Sequence, residues 1–253
     1  MENYTIELLE KGKRVDGRSF DQFRKIEIKT GIIKKAEGSA LVKMGETEVM
    51  AGVKLDITQP FPDSPEHGVL SVSAEFTPLA SPDFELGPPG EDAIELARIV
   101  DRGIRESKAI ELEKICLEPG KMVWGVFIDI HILNHHGNLL DASALASVAA
   151  LLNTKIPRLE GDKIVRGEFE KSLPVVFKPI NISVAKIKER FLVDPNFEEE
   201  NVINAKLAVC VRDDDKICSI QKQGNEELSP EDIEKMIEMA IEKSKEIREL
   251  VIL

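Results

Sequence analysis

A chain of 253 residues, 42% hydrophobic and 32% charged, can bury a full-sized core as one large domain or as two small halves sharing an interface. Its formal charge of −12 argues against a general nucleic-acid coat, because non-specific binding of a polyanion needs a positive surface, but it leaves room for a local basic site. No signal peptide precedes the first helix and no apolar run approaches membrane-spanning length, so the sequence reads as a soluble, cytoplasmic protein with no membrane contact. Cys116, Cys210 and Cys218 lack C-x-x-C spacing and lie in apolar runs, which predicts buried free thiols in a reducing compartment.

Residues 5–11 predict a short amphipathic helix, and Arg14-Val-Asp-Gly-Arg18 reads from its spacing as a polar surface loop. Residues 11–43 hold ten Lys or Arg against four Asp or Glu, whereas residues 226–249 hold nine acids against four bases. The two ends therefore differ in sign, so one face is suited to meet an anion while the other is merely solvated. Residues 26–33 and 39–55 alternate as strands, with a hairpin turn at Met44-Gly45-Glu46-Thr47. Residues 59–90 carry seven of the thirteen prolines and enclose a strand over 69–76, flanked by loops of the kind that contact partners or ligands.

The centre of the chain runs from 91 to 157. Over 91–110, Ala93, Leu96, Ala97, Val100 and Ile104 make one apolar helical stripe, and Arg98, Arg102 and Arg105 share the opposite face at about 100° per residue. A buried strand is predicted over 123–133, then a turn at His135-His136-Gly137-Asn138, then a helix over 142–152 with Asp141 as its N-cap. Such a strand, glycine turn and helix N-terminus is a common place to hold an anion. Beyond it, 158–171 is charged and reads as a connection between halves. Strands follow over 174–186 and around 191–195, then an acidic loop over 197–201 and a hairpin of 204–212 with 216–222 across Asp213-Asp214-Asp215. Last comes a helix started by Ser229-Pro230 and running to about 249, its inner side formed by Ile233, Met236, Ile237, Ala240 and Ile247. The hairpin and helix of the first half (39–55, 91–110) match those of the second (204–222, 230–249), which predicts an internally duplicated α+β unit with halves at 1–157 and 158–253 that form one structural body.

The arginine stripe has two readings: a phosphate-tracking face, suited to the planar guanidinium fork, or a solvated face with Glu95, Asp101 and Glu106 as intrahelical partners. No metal is indicated, since adjacent His135 and His136 do not readily converge on one ion from a strand end, and no cofactor motif is present. Ser143 and Ser147 have no paired base in reach and read as small packing residues.

Five segments carry a resemblance. Arg14-Val-Asp-Gly-Arg18, Ser73-Ala-Glu-Phe-Thr-Pro-Leu-Ala-Ser-Pro82, Ala97-Arg-Ile-Val-Asp-Arg-Gly-Ile-Arg105, Glu118-Pro-Gly-Lys121 and the helix Leu140-Asp-Ala-Ser-Ala-Leu-Ala-Ser-Val-Ala-Ala-Leu151 resemble the RNase PH family, and Asp194-Pro-Asn-Phe-Glu-Glu-Glu200 continues the match. Within that family the likeness is to non-catalytic ring subunits of the archaeal exosome. The resemblance implies an RNase PH-type fold, similar to the second domain of ribosomal protein S5. It also implies a six-membered ring of three heterodimers with a catalytic RNase PH-type sibling, S1/KH-type RNA-binding cap proteins, and phosphorolysis of single-stranded RNA from its 3′ end.

Two departures from the family pattern matter more than the matches. Catalytic relatives carry a Gly-Ser/Thr-Arg phosphate loop where this chain has Gly137-Asn138-Leu139-Leu140, and two leucines replace neither a hydroxyl nor a guanidinium. Catalytic relatives also place an Asp on the strand after the acidic loop, and here that position falls at or beside Ala205. The resemblance therefore implies a pseudo-enzyme subunit that shapes its sibling's active site and grips RNA through Arg98, Arg102 and Arg105. The competing expectations are a self-sufficient phosphate-dependent exoribonuclease and a purely structural scaffold without RNA contact.

Overall fold

The computed structural model describes residues 2–161 and 163–251. Helix α1 (Glu2–Glu10) leads through an arginine-rich loop into β1 (Ile26–Thr30), β2 (Gly38–Met44) and β3 (Thr47–Thr58), an antiparallel meander. Along β3, Thr47, Val49, Ala51, Val53 and Leu55 are buried and the residues between them are less so, the period-two signature of a strand with one face in the core. β4 (Val69–Phe76), α2 (Glu91–Glu106), β5 (Cys116–Glu118) and β6 (Met122–Asn134) complete the first half. The sheet runs β1-β2-β3-β6-β4, with the short β5 also beside β6. Among the described residues only β4 and β6 are parallel, and a parallel pair needs a long crossover, which the segment containing α2 supplies.

Next come α3 (Leu139–Leu152), β7 (Lys155–Glu160) and β8 (Lys163–Ser172), the last two forming a two-stranded ribbon. β9 (Ile180–Ile187), β10 (Arg190–Val193), α4 (Phe197–Glu200), β11 (Ala205–Val211), β12 (Ile217–Gly224) and α5 (Pro230–Glu249) follow. The second sheet is wholly antiparallel in the order β10-β9-β11-β12. Each half is thus a sheet backed by helices, as the matched hairpins and helices predict. α3 lies between the two sheets, against β2 and β3 on one side and β9 on the other, and Leu139 to Leu151 are all buried. A helix buried on every side needs small side chains to let both sheets approach, which accounts for its run of Ala and Ser. α2 packs along β4 and touches β12, so it spans the outer strands of both sheets.

Several local expectations change. Asp141 is not the N-cap of α3. Asn138 takes that position in a left-handed conformation (φ 55°), and Asp141 sits buried one turn inside. Its carboxylate accepts from Asn138 Nδ2, Asn181 Nδ2 and both the backbone N and Oγ of Ser183, which joins α3 to β9. Arg14 is no surface residue: its side chain is fully buried against Glu199 at 2.6 Å and donates to the carbonyls of Val193 and Asp194. The acidic segment expected as a loop is the helical turn α4, closed by a capping box between Asn196 and Glu199. The expected connection over 158–171 falls largely within the ribbon strands β7 and β8. The strand expected from 174 starts at Ile180, because Pro174 and Pro179 deny it backbone donors. α2 ends at Glu106, where Lys108 turns left-handed (φ 54°). Ile233 is exposed rather than on the inner side of α5, and of the three thiols only Cys210 is fully buried.

Candidate nucleic-acid interface and the 136–140 loop

The α2 stripe forms as the spacing predicts. Ala93, Leu96, Ala97, Val100 and Ile104 are buried, with Ile99 and Gly103 beside them, and Arg98, Arg102 and Arg105 are exposed on the far side. The three arginines differ in their partners. Arg98 has no hydrogen bond or ion pair among the described residues. Arg102 Nη1 donates to Gln221 Oε1 on β12 at 3.2 Å. Arg105 holds Asp101 with two bonds, Nε to Oδ2 at 3.0 Å and Nη2 to Oδ1 at 2.7 Å, and Nη2 also donates to the Leu70 carbonyl at 3.0 Å. All three line an open cleft of about 380 Å³ whose floor is the outer edge of β4 from Leu70 to Val72.

The loop 136–140 is tied down from all sides. Arg24 donates to the carbonyls of His136 (2.7 Å) and Gly137 (3.1 Å), and Thr47 Oγ1 donates to the Gly137 carbonyl at 2.7 Å. The Gly137 amide donates to His135 Nδ1. That bond requires Nδ1 to be unprotonated, and burial of the ring, offset in part by Glu200, lowers the His135 pKa in the same direction. The Asn138 amide, the first donor at the helix N-terminus, is bonded at 2.9 Å by the Glu200 carboxylate. Asn138 Nδ2 bridges the carboxylates of Asp141 and Asp194, both at 3.0 Å. Leu139 and Leu140 are buried, and neither side chain offers a polar atom to a ligand.

In front of this loop lies a cleft of about 400 Å³ lined by Phe76, Phe84, His135, Leu139 and Leu140, with Asp92, Glu95 and Glu200 against a single Lys206. His135 stacks on Phe84 at 5.5 Å and meets Phe197 edge-on at 5.3 Å. Three carboxylates and one ammonium give a wall that repels phosphate. Ala205 is fully buried at the start of β11, paired across the sheet with Gly224 and Lys186, and carries no group for proton transfer. The histidines go to separate places: His131 to Glu75 at 3.4 Å, His135 into the aromatic stack, and His136 toward Glu46 at 4.0 Å.

Sequence reasoning missed the hub behind the loop. Asp194, fully buried and left-handed (φ 48°), accepts from Arg18, Arg24 and Asn138. Burial alone would raise its pKa, but the hydrogen bonds and charge of Arg24, with Arg18 behind it, hold it below the usual carboxylate value. Glu200 was legible in part, since Asn196-x-x-Glu199 is a capping-box signature that places residue 200 on a helical turn. Gln221 and Gln223 alternate on β12 and so share one face, which α2 then covers, Gln223 Nε2 donating to Glu95 at 3.0 Å. Nothing in the sequence signals Arg24.

Two family descriptions match the chain: 3′ exoribonuclease family, domain 1, over residues 22–157, and 3′ exoribonuclease family, domain 2, over residues 179–243. The chain is 48% identical to the exosome complex component Rrp42 of Thermococcus gammatolerans, covering 100% of this chain and 94% of that protein. It is 49% identical to the exosome complex component Rrp42 of Methanocella arvoryzae, covering 98% and 94%. A chain of a solved Archaeoglobus fulgidus exosome with RNA bound to the active site superposes with a TM-score of 0.92 at 45% identity, covering 98% of this chain and 96% of that one. The rice Rrp46 structure, at 19% identity and a TM-score of 0.73, shares the fold.

Proposed function

The chain belongs to the 3′ exoribonuclease family, and we propose that within it the chain is a non-catalytic subunit of an exosome that degrades RNA from the 3′ end. In this reading it pairs with a catalytic RNase PH-type sibling, three such pairs closing a ring below S1/KH-type RNA-binding caps in the cytoplasm. It completes the sibling's active site and lends phosphate contacts to single-stranded RNA.

The observation that carries the non-catalytic part is the pairing of the Asn138 amide with Glu200. One donor that an inorganic phosphate would use already holds an internal carboxylate, the side chains of Leu139 and Leu140 supply neither a hydroxyl nor a guanidinium, and the facing cleft is acidic. The RNA-contact part is supported by two exposed guanidiniums: among the described residues Arg98 has no partner and Arg102 is held only by a neutral amide. Neither has to break an ion pair to reach a phosphate, so both are available as bidentate ligands.

The test mixes purified chain with labelled RNA and phosphate, alone and with its sibling. The chain alone releases no nucleoside diphosphate, and the mixture does. Arg98→Ala and Arg102→Ala in the assembled ring weaken RNA binding regardless of base sequence, and each flattens the log–log salt dependence by about 0.7. Phosphate-dependent shortening by the pure chain, abolished by a substitution within it, overturns the non-catalytic reading. A double Arg98/Arg102 variant with normal assembly, affinity and salt slope overturns the RNA contact.

A further inference from the structure

α2 is fastened along both of its flanks. On one flank Arg102 and Glu95 bond Gln221 and Gln223 of β12. On the other, Arg105 takes both oxygens of Asp101 and the Leu70 carbonyl of β4. Among the described residues β4 is an edge strand paired only with β6, so the Leu70 carbonyl that Arg105 reaches faces the open side of the first sheet. A planar guanidinium can satisfy a carboxylate edge-on while one of its nitrogens also reaches a carbonyl, which a lysine's single ammonium on a flexible stem reproduces poorly.

Resting on the reading that this face meets RNA, we propose that Arg105 is a positioning residue and not an RNA ligand. With Asp101 it clamps α2 to the open edge of β4, and the clamp fixes where Arg98 and Arg102 stand. The contrast within the stripe supports this division of labour. Among the described residues Arg98 has no partner, Arg102 has one bond to a neutral group, and Arg105 has three bonds, two of them to a charge. For Arg105 to reach a phosphate, Asp101 would be left unpaired beside the incoming anion.

The experiment measures single-stranded RNA binding to the assembled ring over a salt series for Arg105→Lys, Asp101→Asn, their combination, and Arg98→Ala as reference. Each clamp variant is expected to weaken binding several-fold at unchanged salt slope, and the combination to equal either alone, because one device is broken once. Asp101→Asn adds a unit of positive charge near RNA, which by itself favours binding, so weakening cannot come from charge. Tighter binding and a steeper slope for Asp101→Asn would mark Arg105 as a ligand masked by Asp101. Unchanged affinity in both single variants would leave the clamp without a positioning role. Either result overturns the proposal. If Arg98→Ala alters nothing, the RNA reading fails first, and the clamp is judged by amide hydrogen exchange of α2 in the free chain. There Asp101→Asn accelerates exchange if the clamp holds the helix, and unchanged exchange overturns it.

Discussion

Asp194→Asn isolates the charge at the hub behind the loop. Asn tolerates the left-handed backbone of this position, so strain is unchanged and the loss is electrostatic. The wild-type carboxylate accepts from Arg18 Nη1 (2.9 Å), Arg24 N (2.7 Å), Arg24 Nε (2.9 Å), Arg24 Nη2 (2.7 Å) and Asn138 Nδ2 (3.0 Å). The two guanidinium side chains are only 10% and 9% exposed, and the substitution leaves them facing an amide whose NH2 is a donor like themselves. Breaking a buried pair on one side costs about 3–5 kcal/mol. At roughly 2–4 °C per kcal/mol for a chain of this length, Tm falls by roughly 6–20 °C. The pH dependence carries a sign. The folded-state pKa of Asp194 is lowered, so its contribution is present above the unfolded carboxylate pKa of about 3.9 and is lost as pH falls through the folded value. Calorimetric melts of both proteins should show the full gap at pH 7 and at pH 5, narrowing below about pH 4. A variant that melts with the wild type at pH 7, or a gap that stays constant down to pH 3, refutes the reasoning.

Gly137→Ala should destabilise by about 2 kcal/mol or more, since φ is +88° and a Cβ would lie 2.5 Å from the Asn196 carbonyl carbon and 2.6 Å from the Pro195 oxygen. A urea midpoint equal to wild type would show that the loop relaxes freely. Mixed with its catalytic sibling, the chain should elute as an equimolar six-membered ring, and light scattering that finds a lasting monomer in that mixture counts against the assembly.

Strand alternation and the helix stripe were local patterns, and the sequence conveyed them well: β4 begins and ends where its run of apolar and small residues does, and the arginines face away from the core. What failed was long-range. Arg14 looks like a loop residue because its partner, Glu199, lies 185 positions away, and no period in the chain encodes that pairing. Asp141 has the composition of an N-cap, but the Asn181 and Ser183 donors of β9 claim its carboxylate, and Asn138 takes the cap because it tolerates a left-handed backbone. Leu139, Leu140 and Ala205 were visible in the sequence as apolar residue types, whereas Glu200 on the Asn138 amide was not, since it depends on α4 folding back on the start of α3.

The burial of α3 on both sides has a consequence for how this protein can vary. α3 touches the walls of two sheets and α2, and Leu139 to Leu151 are all buried, so an added methylene at any of these positions pushes on one packed neighbour or another. In a library of single substitutions, these thirteen positions should form one nearly blank band, while the solvent-facing positions of α5 accept most residues. The same geometry sets the smallest piece that stands alone. A first half cut off after α3 would expose the helix flank that β9 covers, a long apolar surface of small side chains prone to self-association. The two sequence units are therefore expected to unfold together, in a single calorimetric transition.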